Sequence, residues 1–500
     1  MTPPLLDPDF AALPYESLGD AALLRASELE ATYADFRFER HKLQHIAARD
    51  RELENVTNAD IVGYGIRVVH GGAWGFASGV DQSADAVTAT ATRAVEVARA
   101  LAELNSEPVE LAAEPAHVAT WISEYEIDPL QVPDEEKIGF LLEMNERLLA
   151  SGKVQHASGR LSQVMENKYF SSLTGARITQ QRVRLESEVE ATRIAPDGEF
   201  DTMRTVAPPA GRGWEHCARV YDYATDVEAI PDLLEEKMRA RSVEPGRYDL
   251  IIDPTNLWLT IHESIGHSTE LDRVLGYEAN YAGTSFATLD KLHSLQFGSP
   301  VMRVTGDRVA EHGLSTVGYD DEGVEAQEWD IVRDGVLVGY QLNRQMARKL
   351  GFGRSNGCAF ADSPAQVPLQ RMPNVSLRPA ARDFTLQELI GGVERGIYIV
   401  GDRSWSIDMQ RYNFQFTGQR FFEIRGGRLA GQLRDVAYQA TTTEFWNALE
   451  AVGGPSTYVL SGAFNCGKGQ PGQVAPVSHG CPAALFRGIN VLNTSGEAGR

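Results

Sequence analysis

Cysteine is scarce in this chain of 500 residues: Cys217, Cys358, Cys466 and Cys481 are the only four. A disulfide-stapled scaffold needs more of them at closer spacing, so the core must rest on apolar burial, and a reducing cytoplasm is the expected compartment. Positive charge is also short. Lys and Arg number 47 against 69 Asp and Glu, a formal net charge of −22. Such a surface repels a phosphate backbone and an anionic bilayer, which argues against nucleic-acid binding and membrane docking. No apolar run approaches the ~20 residues of a membrane helix. No basic residue precedes Leu5-Leu6 in Met1 to Asp9, so no secretory signal is expected. Internal repeats and low-complexity tracts are missing as well. Gly at 46 and Pro at 23 are ordinary numbers, and 43% hydrophobic residues suffice for a real core. The length suggests two to three domains.

What is present reads as two halves. Phe36 to Arg40 alternates as a half-buried strand does, and Val62, Tyr64, Ile66 and Val68 repeat the period of two. Gly71-Gly72 makes a turn, and Ala73 to Ala77 is the return strand. Helices are expected over Asp85 to Leu101 and over Asp134 to Ala150, the latter with three acidic residues on its positive end. Period two returns from Leu161 to Arg204, with a hairpin turn at Pro196-Asp197-Gly198. A third helix is expected over Asp226 to Arg241. Val243-Glu244-Pro245-Gly246 breaks the pattern, and the domain boundary is placed there, between 1–243 and 244–500. The second half is mostly strand and loop. It holds an apolar strand over Arg247 to Asp253 and hairpins at Arg333-Asp334-Gly335-Val336 and Arg425-Gly426-Gly427-Arg428. Strands follow over Ile397 to Phe422 and Leu433 to Ala440, then a helix over Thr442 to Ala451. The class is α+β: an N-terminal α/β domain with an antiparallel sheet and flanking helices, and a C-terminal, mainly-β domain carrying a distorted helix with two histidines.

That helix is the most informative stretch. Ile261-His262-Glu263-Ser264-Ile265-Gly266-His267-Ser268 places two imidazoles around a carboxylate. Imidazole is the commonest biological zinc ligand, and a neighbouring carboxylate can serve as general base toward water at the metal. The familiar spacing puts the histidines at i and i+4; here they stand at i and i+5, roughly 140° apart on a regular helix. A single wide turn of the π type would swing them onto one face. Gly266 makes such a distortion inexpensive. A bulged helix is therefore expected.

A third ligand must come from elsewhere. The glycine-rich stretch 464–473 holds Cys466, whose neighbours are not core-like, and a thiolate binds zinc well. His479 and Cys481 are rival ligands, as are Glu270 and Asp272. Cys217 and Cys358 read as small buried hydrophobes.

These residues resemble the signature of the TldD/PmbA family of zinc-dependent peptidases: His262-Glu263-x-x-x-His267 followed by Ser268-Thr269-Glu270-Leu271-Asp272. The resemblance extends to Gly65-Ile66-Arg67-Val68 with Gly72 to Ala77, to Asp320-Asp321-Glu322-Gly323, to Arg371-Met372-Pro373-Asn374 and to Cys466-Gly467-Lys468-Gly469-Gln470. It covers the chain from about residue 20 onward. It implies a catalytic, TldD-like subunit that binds Zn2+ through His262, His267 and Cys466, with Glu263 as general base. It implies hydrolysis of unfolded or flexible peptides, and a metal-free TldE (PmbA)-like partner in a heterodimer, with a homodimer as the alternative. The chain departs from the family pattern at Gly401 to Asp408, at Pro471-Gly472 and at Ser478-His479-Gly480-Cys481. Two rival readings stand beside this one. In the first, the chain is a non-catalytic peptide-binding or regulatory subunit whose metal is structural or vestigial. In the second, Cys466 is the nucleophile of a metal-free hydrolase.

Overall fold

The computed structural model describes residues 4–469 and 471–497. Gln470 of the cysteine segment and the first three residues of the N-terminal stretch lie outside the described residues.

A seven-stranded sheet dominates the first half. Its long strands Tyr33–Arg49, Glu52–His70, His156–Ser172 and Arg177–Ile194 pair antiparallel, and Val118–Ile122 joins the edge in parallel. The expected hairpins form at Gly71-Gly72, where both residues take positive φ, and around Pro196-Asp197-Gly198. One face of the sheet packs Phe36, Phe38, Tyr64, Ile66 and Val68 against the helices Tyr15–Glu28 and Ala84–Ala102. The return strand lies so close to the second helix that a Cβ on Gly75 would sit 1.9 Å from the carbonyl oxygen of Ala94. Helices Asp134–Ala150 and Tyr223–Arg239 cover Leu161, Leu185 and Val189.

Period-two alternation suggests half-buried strands, but the polar face is buried too. Asp35, Arg37, Glu39, Arg67 and Lys168 are all buried. They are neutralised in pairs, Arg67 with Asp35 at 2.6 Å and Glu322 at 3.0 Å, and Lys168 with Asp321 at 2.8 Å. The Asp320-Asp321-Glu322-Gly323 turn therefore presses acidic side chains onto the charged face of the sheet.

In the second half, five strands close on themselves. Arg395–Ile407 pairs with Gly246–Ile252 in parallel, and then Ala484–Asn493, Val436–Thr441 and Asn413–Arg425 follow antiparallel, the last pairing back to Arg395–Ile407. The barrel interior holds Leu250, Ile252, Ile399, Phe416, Tyr438, Phe486 and Val491, and the helix Pro254–Ile261 packs on the same core. The mixed α+β class with its distorted histidine helix is what the structure contains.

Two expected boundaries shift. The third helix of the first half runs Tyr223–Arg239, started by the Asp222 side chain accepting from Thr225 N–H. It stops early because Val243 N–H donates to Arg434 in the barrel half. The helix expected over Thr442 to Ala451 ends at Asn447, and Leu449–Val452 is a strand paired with Ala484–Asn493. Leu-Glu-Ala has good helix propensity, but ladder pairing and burial of Leu449 and Val452 override it. Among the described residues no helix is long and apolar enough to cross a membrane.

Candidate metal centre

Asp253 caps the helix Pro254–Ile261 by accepting from Thr255 N–H. The helix widens at its end. His262–Gly266 form one π turn, in which His267 N–H donates to His262 C=O five residues back, and His267–Thr269 tighten into a 3-10 turn. The i, i+5 histidines thereby face each other, their ring centroids 4.6 Å apart. The bulge expected from the spacing is present.

Carbonyls displaced by the wide turn find side-chain donors. Gln341 Nε2 donates to Gly266 O at 2.5 Å, Thr269 Oγ1 to Ile265 O at 2.8 Å, and Ser268 Oγ to Ser264 O at 2.7 Å. Gly266 serves differently from the sequence expectation. Its φ of −53° and ψ of −61° are ordinary for a helix, so left-handed freedom is not used. A Cβ there would lie 2.5 Å from Met372 Sδ, and close packing is what requires glycine.

Cys466 arrives on the strand Val459–Lys468, which among the described residues pairs only with Gln473–Cys481 and shifts register between Ala463 and Cys466. Its Sγ lies 3.7 Å from His267 Nε2. One donor atom each from His262, His267 and Cys466 fall within 4.8 Å of one another, all three residues buried. Among the described residues His479, Cys481, Glu270 and Asp272 bring no further donor into this cluster. Cys481 Sγ instead contacts Pro254 O. Glu270 lies behind His267, its Oε2 2.8 Å from Nδ1, and His479 Nε2 lies 2.7 Å from His262 Nδ1. Asp272 and Glu270 share the buried Lys468 ammonium, at 2.9 and 3.1 Å.

Electrostatics suit metal ligation. Burial pushes the His262 imidazole below its ordinary pKa, which favours the neutral ring. Burial alone would raise the Cys466 thiol, but the charge and hydrogen bond of His267 outweigh it and the net shift is downward, toward thiolate. Glu263 behaves alike: burial raises its carboxyl, yet His267, His262 and Arg411 together hold it below the usual range. The Arg411 guanidinium contacts it at 2.5 Å. Sequence reasoning missed Arg411. It lies in a loop where it takes φ of 62°, and no periodicity marks it. Arg371, noticed only as part of a motif, donates to the Cys466 carbonyl and so anchors the strand carrying the thiol.

A cavity of about 450 Å³ is lined in part by Trp258 and by Asn465, the chain neighbour of Cys466, though not by His262, Glu263, His267 or Cys466 themselves. The Trp258 ring lies 6.3 Å from that of His262. A second cavity of about 530 Å³ shares Arg160, Glu188, Arg204, Asp402, Arg403 and Gln419 with the first. The segment 401–408, where the sequence departs from the family pattern, thus supplies part of the cavity wall.

Known proteins resemble this chain over most of its length. Models of the PmbA/TldD family match twice: residues 245–493 match the PmbA/TldA metallopeptidase C-terminal domain, and 34–101 match PmbA/TldA metallopeptidase domain 1. A metalloprotease of Methanothermobacter thermautotrophicus is 26% identical over 477 residues, covering 95% of this chain and 98% of the relative. A zinc metalloprotease TldD homolog of Saccharolobus solfataricus is 24% identical over 471 residues, covering 93% and 98%. Among solved structures, TldE of Thermococcus kodakarensis superposes with a TM-score of 0.70 at 16% identity, covering 95% of this chain and 99% of its own, a likeness of fold.

Proposed function

Because this chain belongs to the PmbA/TldD family of metallopeptidases, we propose that it hydrolyses unfolded or flexible peptides at a Zn2+ held by His262, His267 and Cys466, with Glu263 as general base. The observation that carries this reading is the convergence of those three donors beside a carboxylate. The donor set fits zinc. Two neutral imidazoles and a thiol biased toward thiolate form a common zinc shell, and three protein ligands leave one position for water, as catalytic sites require. A structural or vestigial site would call for a fourth protein ligand, which no described residue supplies, so the non-catalytic reading is not favoured. The name of the Saccharolobus relative supports zinc as the ion.

Bound there, zinc supplies Lewis acidity toward a water and toward the scissile carbonyl. The chain's own residues do the rest. Glu263, kept ionised by its surroundings, takes a proton from the attacking water at a carboxylate oxygen and returns it to the leaving amine. Glu270 and His479 hold the two imidazoles by their Nδ1 atoms. The thiolate lowers the positive charge of the centre relative to a third imidazole, which tempers its acidity. The joined cavities receive the peptide, and their departures at 401–408 shape substrate preference.

The fold shared with TldE supports a TldE (PmbA)-like partner in a heterodimer; a homodimer is the alternative assembly. Four free, buried cysteines support a cytoplasmic setting. A division into 1–243 and 244–500 is supported by sheet membership, since strands up to Phe200–Arg204 build the first sheet and, among the described residues, no strand from Gly246–Ile252 onward joins it.

The test is elemental analysis of wild type, Cys466→Ala and His267→Ala, with peptide cleavage assayed on the same preparations. One zinc per wild-type chain, lost together with cleavage in both variants, is the expected result. Wild type without zinc, cleaving in the presence of chelators, would overturn it and return Cys466 to consideration as a nucleophile.

A further inference from the structure

His479 backs His262 at its Nδ1, and with both rings neutral its hydrogen bonds admit one arrangement of protons. The residue is wholly buried on the strand Gln473–Cys481. Its Nδ1 is 2.9 Å from Val375 O and its Nε2 is 2.7 Å from His262 Nδ1. A carbonyl oxygen only accepts, so His479 Nδ1 carries the proton that donates to Val375. In a neutral ring Nε2 is then an acceptor, and the short contact requires His262 to donate from its Nδ1. The lone pair of His262 is thereby left on Nε2. The opposite tautomer of His479 would set an unprotonated nitrogen against the Val375 carbonyl at a wholly buried position, an unmatched pair of acceptors. The Trp258 ring, tilted only 14° from that of His479, helps fix its plane.

Resting on the zinc reading above, we propose that His479 is a positioning residue that locks His262 in the metal-ligating tautomer through a Val375–His479–His262 relay. The two histidine ligands are therefore held unequally. His267 is backed by a carboxylate, Glu270, that is itself paired with Lys468 and Arg273. His262 is backed by a neutral ring. A carboxylate raises ligand basicity more than an imidazole does, so His262 is the weaker donor of the pair and the one more dependent on correct alignment.

The experiment compares His479→Gln, which offers an acceptor near the Nε2 position, with His479→Phe, which fills the space without one. Zinc affinity is measured by chelator competition and the ligand field by the absorption spectrum of the cobalt(II)-substituted protein, alongside peptide cleavage. Loss of roughly 10–100-fold in zinc affinity is expected for His479→Phe, the usual effect of removing a partner behind a ligand, with shifted cobalt bands. His479→Gln should recover most of both. Should the Phe variant not fold, His479→Asn, which keeps a donor for Val375 but whose shorter side chain does not bring its carbonyl oxygen to the Nε2 position, makes the same comparison. A Phe or Asn variant with wild-type zinc affinity and cobalt spectrum would overturn the proposal. So would a Gln variant as impaired as Phe, which would reduce His479 to ring packing. Wild type that binds no zinc would instead remove the underlying centre, and the relay with it.

Discussion

Glu263 Oε2 stands 2.5 Å from Arg411 Nη1, across 148 residues of chain. The side chains are largely buried, so the pair is shielded from water and holds the carboxylate ionised and oriented. Removing either partner has separable consequences. Glu263→Gln keeps size and hydrogen bonding but cannot take a proton. Zinc content should stay at the wild-type level while cleavage falls by roughly 10²–10⁴-fold, the usual contribution of a general base. Cleavage at the wild-type rate would show that the base is another group. Arg411→Met leaves a buried carboxylate unpaired and should lower stability by about 3 kcal/mol in denaturant unfolding, with cleavage reduced and zinc retained.

Gly266 is held to glycine by Met372, whose Sδ would lie 2.5 Å from a Cβ at that position. Gly266→Ala should destabilise by about 1–3 kcal/mol through overpacking. Adding Met372→Ala should recover part of that loss, and a double-mutant cycle in urea reads the coupling. Additive effects would mean that Met372 does not constrain the turn.

Lys468 neutralises two buried carboxylates, Glu270 at 3.1 Å and Asp272 at 2.9 Å, next to His267 and Cys466. Lys468→Met should cost about 3–5 kcal/mol, because both acidic groups stay behind without their cation. Chemical denaturation of the metal-free protein measures this apart from any loss of ligand. An unchanged midpoint would show that Arg273 alone satisfies Glu270.

Asp320 is not part of the His262, His267 and Cys466 cluster and predicts a pH dependence of its own. Burial, with Glu322 nearby, pushes its carboxyl up to about 7, against the three backbone N–H groups it accepts from. The unfolded value is about 3.9. Between these values the folded state binds the extra proton, so raising the pH through this window lowers stability, with no further change from this group above it. Asp320→Asn should abolish that slope. The variant should also be less stable overall, since in either orientation of its amide Nδ2 must face a backbone N–H that an Asp320 oxygen accepts from, Ala359 on one side or Glu322 and Val324 on the other. Urea unfolding of both proteins from pH 4 to 8 checks the sign, and equal slopes would remove Asp320 as the source.

Much of the site was legible in the chain because it depends on short-range geometry. An i, i+5 pair of histidines cannot share a ligand on a regular helix, so the π turn followed from angle alone, and it is present at His262–Gly266. Hairpins at Gly71-Gly72 and Gly426-Gly427 followed from residues that tolerate positive φ, which they adopt. Cys466 was distinguishable from Cys217 and Cys358 by its glycine-rich setting. Where local propensity competed with pairing it lost, as at Leu449–Val452, where the barrel takes residues that alone would prolong a helix.

The sequence by itself determined most element types, Leu449–Val452 excepted, together with the bulged histidine helix, the acidic composition and the family. Each of these is a property of neighbouring residues or of composition. Only the tertiary structure decided what lies behind each side chain of the cluster: His479 behind His262, Lys468 behind Glu270, Arg411 on Glu263, and Arg371 on the strand of Cys466. Those contacts join side chains 95 to 217 residues apart. They exist because closing the barrel and burying the two-stranded ribbon strip water from polar groups, each of which must then find a partner wherever the fold has brought one.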